Sequence, residues 1–197
     1  MTTDAVVRRP WLWPLFRRPI RAQFDRLASG WDAMRDPQHL VPFERALERI
    51  AGPVQDALDV GTGTGAGALA IARRFPGAAV VGIDVSSTML DEARRHLSAD
   101  LADQVTFRVG DAARLPFDSS TFDLVAHANM IPFLDEVARV LRPGGWTLFA
   151  FSSGAETPIY VNPGTLRQGL ECRGFTEFAE IAAGRGTAIL ARRAQRH

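Results

Sequence analysis

Short apolar runs alternate with amphipathic segments along most of the chain. Apolar runs of this length are typical of buried strands, and the intervening segments repeat apolar residues at helical spacing. The pattern predicts strands near 56–60, 80–84, 105–109, 123–128 and 146–151. It predicts helices near 38–51, 65–74, 87–97 and 133–141. Strands that alternate with helices in this way indicate an α/β fold, a doubly wound and mostly parallel sheet with helices on both faces.

The chain after the fifth predicted strand follows a different pattern. We expect a helix over 165–173 and then two strands over 175–181 and 187–191. Only a short segment around Gly184 and Gly186 separates these two strands, which predicts an antiparallel hairpin at the C-terminal end of the sheet.

A glycine-rich loop follows the first predicted strand. That strand ends at Asp59 and Val60, and glycines then occupy positions 61, 63, 65 and 67. Glycine lacks a Cβ, so the chain can turn tightly and approach a ligand closely, while the next helix presents free N–H groups at its start. The loop indicates a nucleotide-cofactor site. Residues 61–66 also satisfy the relaxed dinucleotide fingerprint, so the glycines alone do not identify which cofactor binds.

Three later segments narrow the choice of cofactor. The second strand ends at Asp84, Gly110-Asp111-Ala112 follows the third strand, and residues 141–146 read Leu-Arg-Pro-Gly-Gly-Trp. Together with the glycine loop, they resemble the class I S-adenosylmethionine-dependent methyltransferases, most closely the small-molecule (type 11-like) branch. The resemblance covers residues 22–192. It implies a Rossmann-like, seven-stranded methyltransferase fold with the terminal hairpin, and S-adenosylmethionine as the cofactor.

The resemblance also implies which residues hold the methionine and ribose parts of the cofactor. Asp59 would lie near the cofactor's amino group, and a backbone carbonyl near Asn129 would hold that group. Asp84 would accept hydrogen bonds from both ribose hydroxyls, as suits a short carboxylate. The loop residues assigned to the methionine part are Gly61, Thr62, Gly63 and Gly65.

The resemblance assigns a second group of residues to the adenine ring. Asp111 would accept a hydrogen bond from the adenine amino group, and the Ala112 backbone N–H would face a ring nitrogen. Val85 and Met89 would cover the ring faces, and Gly110 completes this group. Asp is also common at helix caps and turns, and Met89 also lies at helical spacing with core residues, so purely structural roles stay open.

Methyl transfer from S-adenosylmethionine requires little chemistry from the protein's side chains. A sulfonium methyl group is already electrophilic, so the protein must chiefly hold the reactants in line and exclude water. A general base is needed only if the acceptor must lose a proton. His127 is then the nearest candidate in the sequence, ahead of His39 and Tyr160, although a core position for His127 fits its buried strand equally well.

The first 37 residues differ from the domain predicted over 38–197. In residues 1–30, six arginines face two acids and are interleaved with Trp11, Trp13, Phe16 and Phe24. Residues 24–32 resemble the segment that folds over the cofactor in related enzymes, so we expect a lid or cap. An interfacial membrane contact or lipid-like substrate and a nucleic-acid contact are the alternatives. Prolines 10, 14 and 19 argue against one long helix here.

Two departures from the family concern the active site. From the fourth strand to Leu141 the chain is roughly two helical turns shorter than is usual in this branch, so we expect a truncated fourth helix. The span after the fifth strand, 152–162, is also brief, and relatives often place a substrate lid there. The pocket is therefore expected to be shallow, or to be roofed by another segment.

Composition sets the remaining expectations. The chain has 197 residues, a net charge of +1 and a single cysteine, Cys172, so no intrachain disulfide is expected. Its four histidines lack the spacing of a metal-binding helix, and we predict no metal site. No apolar run is long enough to span a membrane, and arginines interrupt the N-terminal apolar cluster, so we expect a cytoplasmic protein. The sequence does not predict the oligomeric state.

The favoured function is methyl transfer from S-adenosylmethionine to a small organic molecule by in-line displacement. One alternative is a protein that binds the cofactor without transferring the methyl group. Another is methylation of an amino group on nucleic acid or protein, because residues 129–133 loosely resemble the Asn-Pro-Pro-Tyr/Phe loop of such enzymes. An NAD(P)-dependent oxidoreductase is disfavoured by Gly110-Asp111-Ala112 and by the terminal hairpin.

Overall fold

A seven-stranded sheet forms the centre of the computed structural model, which describes residues 12–195. The strand order is β3-β2-β1-β4-β5-β7-β6. Strands β1 to β5 are parallel, and β7 pairs antiparallel with both β5 and β6. The strands are β1 (Asp56–Val60), β2 (Ala79–Asp84), β3 (Val105–Val109), β4 (Phe122–Ala128), β5 (Leu141–Phe151), β6 (Phe175–Ala183) and β7 (Gly186–Arg193). The predicted α/β fold with a terminal antiparallel hairpin is confirmed.

Among the described residues, two helices precede the first strand, three connect parallel strands, and one precedes the terminal hairpin. They are α1 (Trp13–Leu27), α2 (Val41–Glu48), α3 (Ala66–Arg74), α4 (Ser87–His96), α5 (Leu134–Val140) and α6 (Pro163–Glu171). Short 3₁₀ turns occupy Ala28–Gly30, Asp32–Met34, Ala99–Leu101 and Gly154–Glu156. Helix α2 is shorter than predicted at both ends, although Phe43, Leu47 and Ile50 are all buried as their spacing indicates. None of the helices in residues 12–195 has the length and apolar character that a membrane span requires.

Strand β5 begins five residues earlier than predicted. Leu141 pairs with Phe122 and Trp146 pairs with Leu124, so residues 142–145 bulge out of the ladder. Gly144 has a φ of 80° in this bulge. Residues 142–145 do not end the strand, because β4 pairs with β5 on both sides of the bulge.

Helix α1 corrects the expectation that prolines would prevent one long helix. It is continuous for 15 residues, with Pro14 in its first turn and Pro19 inside it. A proline in the first turn loses no helical hydrogen bond. Pro19 removes the bond to the carbonyl of Leu15, and Leu15 is exposed, so water can satisfy that oxygen. Residues Arg8, Arg9, Pro10 and Trp11 lie outside the described part of the chain.

The short helix expected between the fourth and fifth strands is observed. Helix α5 has seven residues and leads directly into β5. Strand order reverses between β1 and β4, and in open sheets of this type ligands bind beyond the carboxyl ends of the strands at such a reversal. The loops that follow β1, β2, β3 and β4 therefore meet where a site is expected.

Candidate active site

A cavity lies beyond the carboxyl ends of the parallel strands. Most of the residues predicted to bind the cofactor line it, namely Asp59, Gly61, Thr62, Gly63, Asp84, Val85, Met89, Gly110, Ala112 and Asn129. Gly65 lies behind the loop against Phe107. Asp111 does not line the cavity itself, although its neighbours Gly110 and Ala112 do, and 21% of its side chain is exposed. The sequence motifs thus converge on one place, although their individual roles stay predictions.

The glycine loop has the backbone conformation that its glycines permit. Gly61, Gly63 and Gly65 have φ values of 70°, 54° and 89°. The N–H groups of Gly61 and Thr62 both donate to the carbonyl of Ile83, at 2.8 and 3.0 Å. These bonds fix the loop to the end of β2. A Cβ on Gly63 would meet nothing closer than 4.0 Å, so its face is open toward a ligand.

Asp59 is a buried carboxylate with spare hydrogen-bonding capacity. Its side chain is 1% exposed, and its Oδ2 accepts a hydrogen bond from the Thr62 hydroxyl at 2.7 Å. Its Oδ1 has no hydrogen-bond partner. Burial raises the pKa of Asp59 to about 6, and nearby Asp84 adds to this effect. Such a carboxylate is suited to a cationic or hydrogen-donating group of a ligand.

Arg35 brings positive charge to the same end of the cavity. It lines the cavity with Asp59, and its guanidinium lies 5.6 Å from the Trp31 ring centroid. Burial lowers the pKa of Arg35, while Asp32 and Asp59 oppose the shift. Its closest carboxylate oxygen within residues 12–195, on Asp32, is 3.9 Å away. The guanidinium therefore retains donors for an anionic group.

Asp84 is held by backbone N–H groups. Oδ2 accepts from Gly63 at 3.0 Å, and Oδ1 accepts from Ser86 at 2.9 Å. Burial raises the pKa of Asp84, and these hydrogen bonds oppose that shift. Ser86 in turn caps helix α4 by accepting from the Met89 N–H at 3.1 Å. Asp84 is therefore the last residue of β2, and its hydrogen bond with Gly63 also holds the glycine loop in place.

Asp111 is bound by the N-terminal helix. The Trp13 indole N–H donates to Oδ1 at 2.7 Å, and Arg17 donates to Oδ2 at 2.9 Å. The Ala113 N–H also donates to Oδ1, at 3.0 Å. Trp13 is 3% exposed and lies edge-on to Phe133, with ring centroids 5.3 Å apart.

Two further hydrogen bonds connect the N-terminal segment to the cofactor loops. The Ser86 hydroxyl donates to Asp25 at 2.5 Å, and the Thr64 hydroxyl donates to Asp32 at 2.7 Å. Trp13, Ile20, Phe24 and Trp31 line the cavity from this side. Helix α1 and the turns after it therefore lie across the loops that follow β1, β2 and β3.

A second cavity adjoins the first, because Trp13, Phe24, Trp31, Arg35, Asn129 and Met130 line both. Its other walls combine apolar side chains with the hydroxyl-bearing residues Ser152, Ser153 and Thr157. His39 also lines it. The His39 Nδ1 lies 2.7 Å from the carbonyl oxygen of Asp36, and Nε2 is buried without a hydrogen-bond partner.

Asn129 adopts a left-handed conformation, with a φ of 52°. Its backbone N–H donates to Ala150 at 2.9 Å, and its side-chain oxygen accepts from the Ser152 N–H at 2.9 Å. The side chain therefore joins the ends of β4 and β5. In the amino-group methyltransferase loop considered above, the asparagine would instead grip the target nitrogen.

Comparison with known proteins identifies the domain. Residues 57–145 match the family described as "Methyltransferase domain". A demethylmenaquinone methyltransferase from Clavibacter sepedonicus is 35% identical over 71% of this chain and 60% of that protein. The chain belongs to the class I S-adenosylmethionine-dependent methyltransferases.

One further relative supports the family, and one solved structure supports the fold. A malonyl-[acyl-carrier protein] O-methyltransferase from Geobacter sulfurreducens is 38% identical over 69% of this chain and 53% of that protein. The crystal structure of a SAM-dependent methyltransferase from Aquifex aeolicus has a TM-score of 0.69 at 19% identity, over 84% of this chain and 97% of that one. The chain spans a little over half of the length of these curated relatives. The predicted family, fold and cofactor are confirmed.

His127, the predicted proton acceptor, lies in the core of the chain. It is 2% exposed, its Nδ1 lies 3.3 Å from the carbonyl oxygen of Leu148, and its ring stacks on Phe149 at 4.4 Å. Burial lowers the pKa of His127 to about 3. It lines neither cavity, so the candidate with the nearest sequence position lies in the core instead.

Neither the role of Arg35 nor the partner of Trp13 and Arg17 was predictable from the sequence. Arg35 has no motif around it beyond its position just after Trp31-Asp32. The contacts of Trp13 and Arg17 with Asp111 join residues more than 90 positions apart, so spacing carries no signal for them.

Gly65→Ala is expected to destabilise the methyltransferase domain. Its φ of 89° is unfavourable for alanine, and a Cβ would lie 2.9 Å from Phe107 and 3.0 Å from Ala93. We expect a loss of about 1–3 kcal/mol in the free energy of unfolding, measured in urea. Gly30→Ala is the control, because a Cβ there meets nothing within 4 Å. Equal stability of the two variants would contradict the strained role of Gly65.

Proposed function

We propose that this protein transfers the methyl group of S-adenosylmethionine to a small organic acceptor. The observation that carries the proposal is that Asp59 and Arg35 both line the cavity and lie near enough to affect each other's charge. Asp59 has an unpartnered buried oxygen, and Arg35 has no carboxylate closer than 3.9 Å within the described residues. An amino-acid end carries an ammonium and a carboxylate side by side, so these two residues match it in charge.

The other walls suit the rest of the cofactor. Asp84 retains lone pairs for the ribose hydroxyls beyond those used by Gly63 and Ser86. Val85 and Met89 supply apolar surface for the faces of an adenine ring, and the Ala112 backbone lies beside them. The residues present therefore fit each chemical part of S-adenosylmethionine.

The chain's contribution to the reaction would be binding, alignment and exclusion of water. S-adenosylmethionine supplies an electrophilic methyl group when bound. Helix α1 and the turns up to Met34 cover the cavity, and Ser86 and Thr64 bind this cover to the cofactor loops. We propose that the segment 1–37 includes a lid over both ligands.

The adjoining cavity is the proposed acceptor site. Its mixture of apolar and hydroxyl-bearing walls favours a small amphipathic acceptor. The two named relatives differ in what their names say they methylate, a demethylmenaquinone and a malonyl-[acyl-carrier protein]. For this chain we propose the small-molecule class without choosing between oxygen, nitrogen and carbon as the acceptor atom. We also propose a cytoplasmic location.

His39→Gln is expected to slow methylation of acceptors that must lose a proton. Nδ1–H donation to Asp36 would leave the Nε2 lone pair to accept that proton. Burial, followed by Arg35, lowers the pKa of His39, which keeps the imidazole neutral near pH 7. We expect kcat to fall about 100-fold or more, with the dissociation constant of the cofactor unchanged. Arg73→Gln, an exposed residue in the last turn of α3, is the control, and equal rates for the two variants would exclude His39.

The experiment that tests the proposed function uses S-adenosylmethionine with an isotopically labelled methyl group. The full chain is incubated with a panel of hydroquinones, phenols, amines and carboxylic acids, and labelled products are separated from the cofactor. Label on a small acceptor, formed more slowly by the Asp84→Ala variant when the cofactor is below saturation, supports the proposal. Cofactor binding with no labelled product from any acceptor would favour the alternative of a binding protein without transferase activity.

A further inference from the structure

The geometry points to Trp13 and Arg17 as positioning residues that make the adenine end of the site selective for an amino-bearing purine. This inference rests on the proposed function, because it concerns how the same site holds its cofactor. It concerns the contact of α1 with Asp111, where a tryptophan and an arginine from the N-terminal helix bind a single carboxylate.

Asp111 can accept one hydrogen bond beyond those it already receives. A carboxylate offers about four lone-pair positions. Trp13 and the Ala113 N–H use two on Oδ1, and Arg17 uses one on Oδ2. One position on Oδ2 is left, so the carboxylate can accept one more donor without releasing α1.

The donors from α1 fix the orientation of the Asp111 carboxylate. The Asp111 side chain is 21% exposed, and an aspartate without partners samples several rotamers. Trp13 is almost fully buried against Phe133, so its indole N–H has a fixed direction. Arg17 adds a charge-assisted hydrogen bond to the other oxygen, so both oxygens of the carboxylate are held.

The fixed carboxylate determines which purine ring the site matches. Gly110 and Ala112, on either side of Asp111, line the cavity. A carboxylate oxygen that accepts, next to the Ala112 backbone N–H that donates, matches adenine, whose amino group donates and whose adjacent ring nitrogen accepts. Hypoxanthine presents the reverse arrangement, a carbonyl oxygen and a ring N–H, so it mismatches both groups.

The test compares S-adenosylhomocysteine with S-inosylhomocysteine by calorimetric titration of the full chain. The wild-type protein should bind the adenine compound at least about tenfold more tightly, the lower end for a hydrogen bond to a charged group. In Trp13→Phe, which keeps an aromatic ring but loses the N–H, this ratio should fall about threefold to tenfold. Arg17→Gln should lower it in the same direction.

The control is Arg18→Gln, an exposed neighbour of Arg17 on α1. It should keep the wild-type ratio. Equal weakening of both ligands by Trp13→Phe, with no change in the ratio, would show that the tryptophan only supports the fold. Tighter binding of both ligands would show that Trp13 obstructs the site. Either result overturns the inference while leaving the proposed function standing, whereas failure of the wild-type protein to bind S-adenosylhomocysteine would contradict both.

Discussion

Asp59→Asn is expected to make the ligand-free protein more stable at neutral pH, by up to about 3 kcal/mol. This amount corresponds to a pKa of about 6 in the folded state against an ordinary value of 3.8. Burial is the main cause, since it penalises the ionised carboxylate. Asparagine keeps an oxygen for the Thr62 hydroxyl but carries no charge that would have to be buried.

The pH dependence gives the sign of the effect. Between pH 3.8 and about 6 the folded state holds the Asp59 proton while the unfolded state releases it. The contribution of Asp59 to stability therefore decreases as the pH rises through this window and stays low above it. The difference between Asp59→Asn and the wild-type protein should be largest at pH 7.5 and shrink toward pH 4, as measured by urea unfolding.

The same substitution should weaken cofactor binding, because the ionised carboxylate is the proposed partner of the cofactor's ammonium group. We expect the dissociation constant to rise about tenfold to a hundredfold. Saturating S-adenosylhomocysteine should then stabilise the wild-type protein more than the variant. Equal stability at pH 7.5 without ligand, together with unchanged affinity, would contradict the role of Asp59.

Asp84→Ala should weaken cofactor binding by about 1.5–3 kcal/mol, the range for hydrogen bonds to a charged group. The dissociation constant should rise about 10-fold to 150-fold, measured by calorimetric titration. The substitution removes the proposed ribose acceptor and also leaves the N–H groups of Gly63 and Ser86 without their partner. Asp84→Asn separates these effects, because its amide oxygen can still accept from one N–H group.

Asp103→Ala is the matched control for Asp84→Ala. Asp103 is exposed and follows a 3₁₀ turn away from the cavity. This variant should bind the cofactor with the affinity of the wild-type protein. An Asp84→Ala variant that is folded and binds equally well would refute the assignment of Asp84 to the ribose.

Features that depend on neighbours in the sequence were predictable. The strands at 56–60 and 105–109 have the predicted bounds, because a short apolar run next to a glycine loop or turn is a local signal. Asp59, Asp84 and Gly110 converge in one cavity, because each follows a parallel strand and the carboxyl ends of such strands meet.

Features that depend on tertiary contacts were not predictable in this way. Helix α1 tolerates Pro19 because the carbonyl that loses its partner is on an exposed residue, which the sequence alone does not reveal. Strand β5 extends through a bulge because β4 pairs with it on both sides. The contact between Trp13 and Asp111 depends on where α1 packs, and the core position of His127 depends on which face of β4 is covered.

Whether the cavity binds S-adenosylmethionine as a methyl donor is best decided by calorimetric titration of the full chain with S-adenosylmethionine, S-adenosylhomocysteine and NADH. We expect saturable binding of the first two, with one site per chain, and no binding of NADH. Binding of NADH alone, or of none of the three, would show that the cavity is not a site for S-adenosylmethionine.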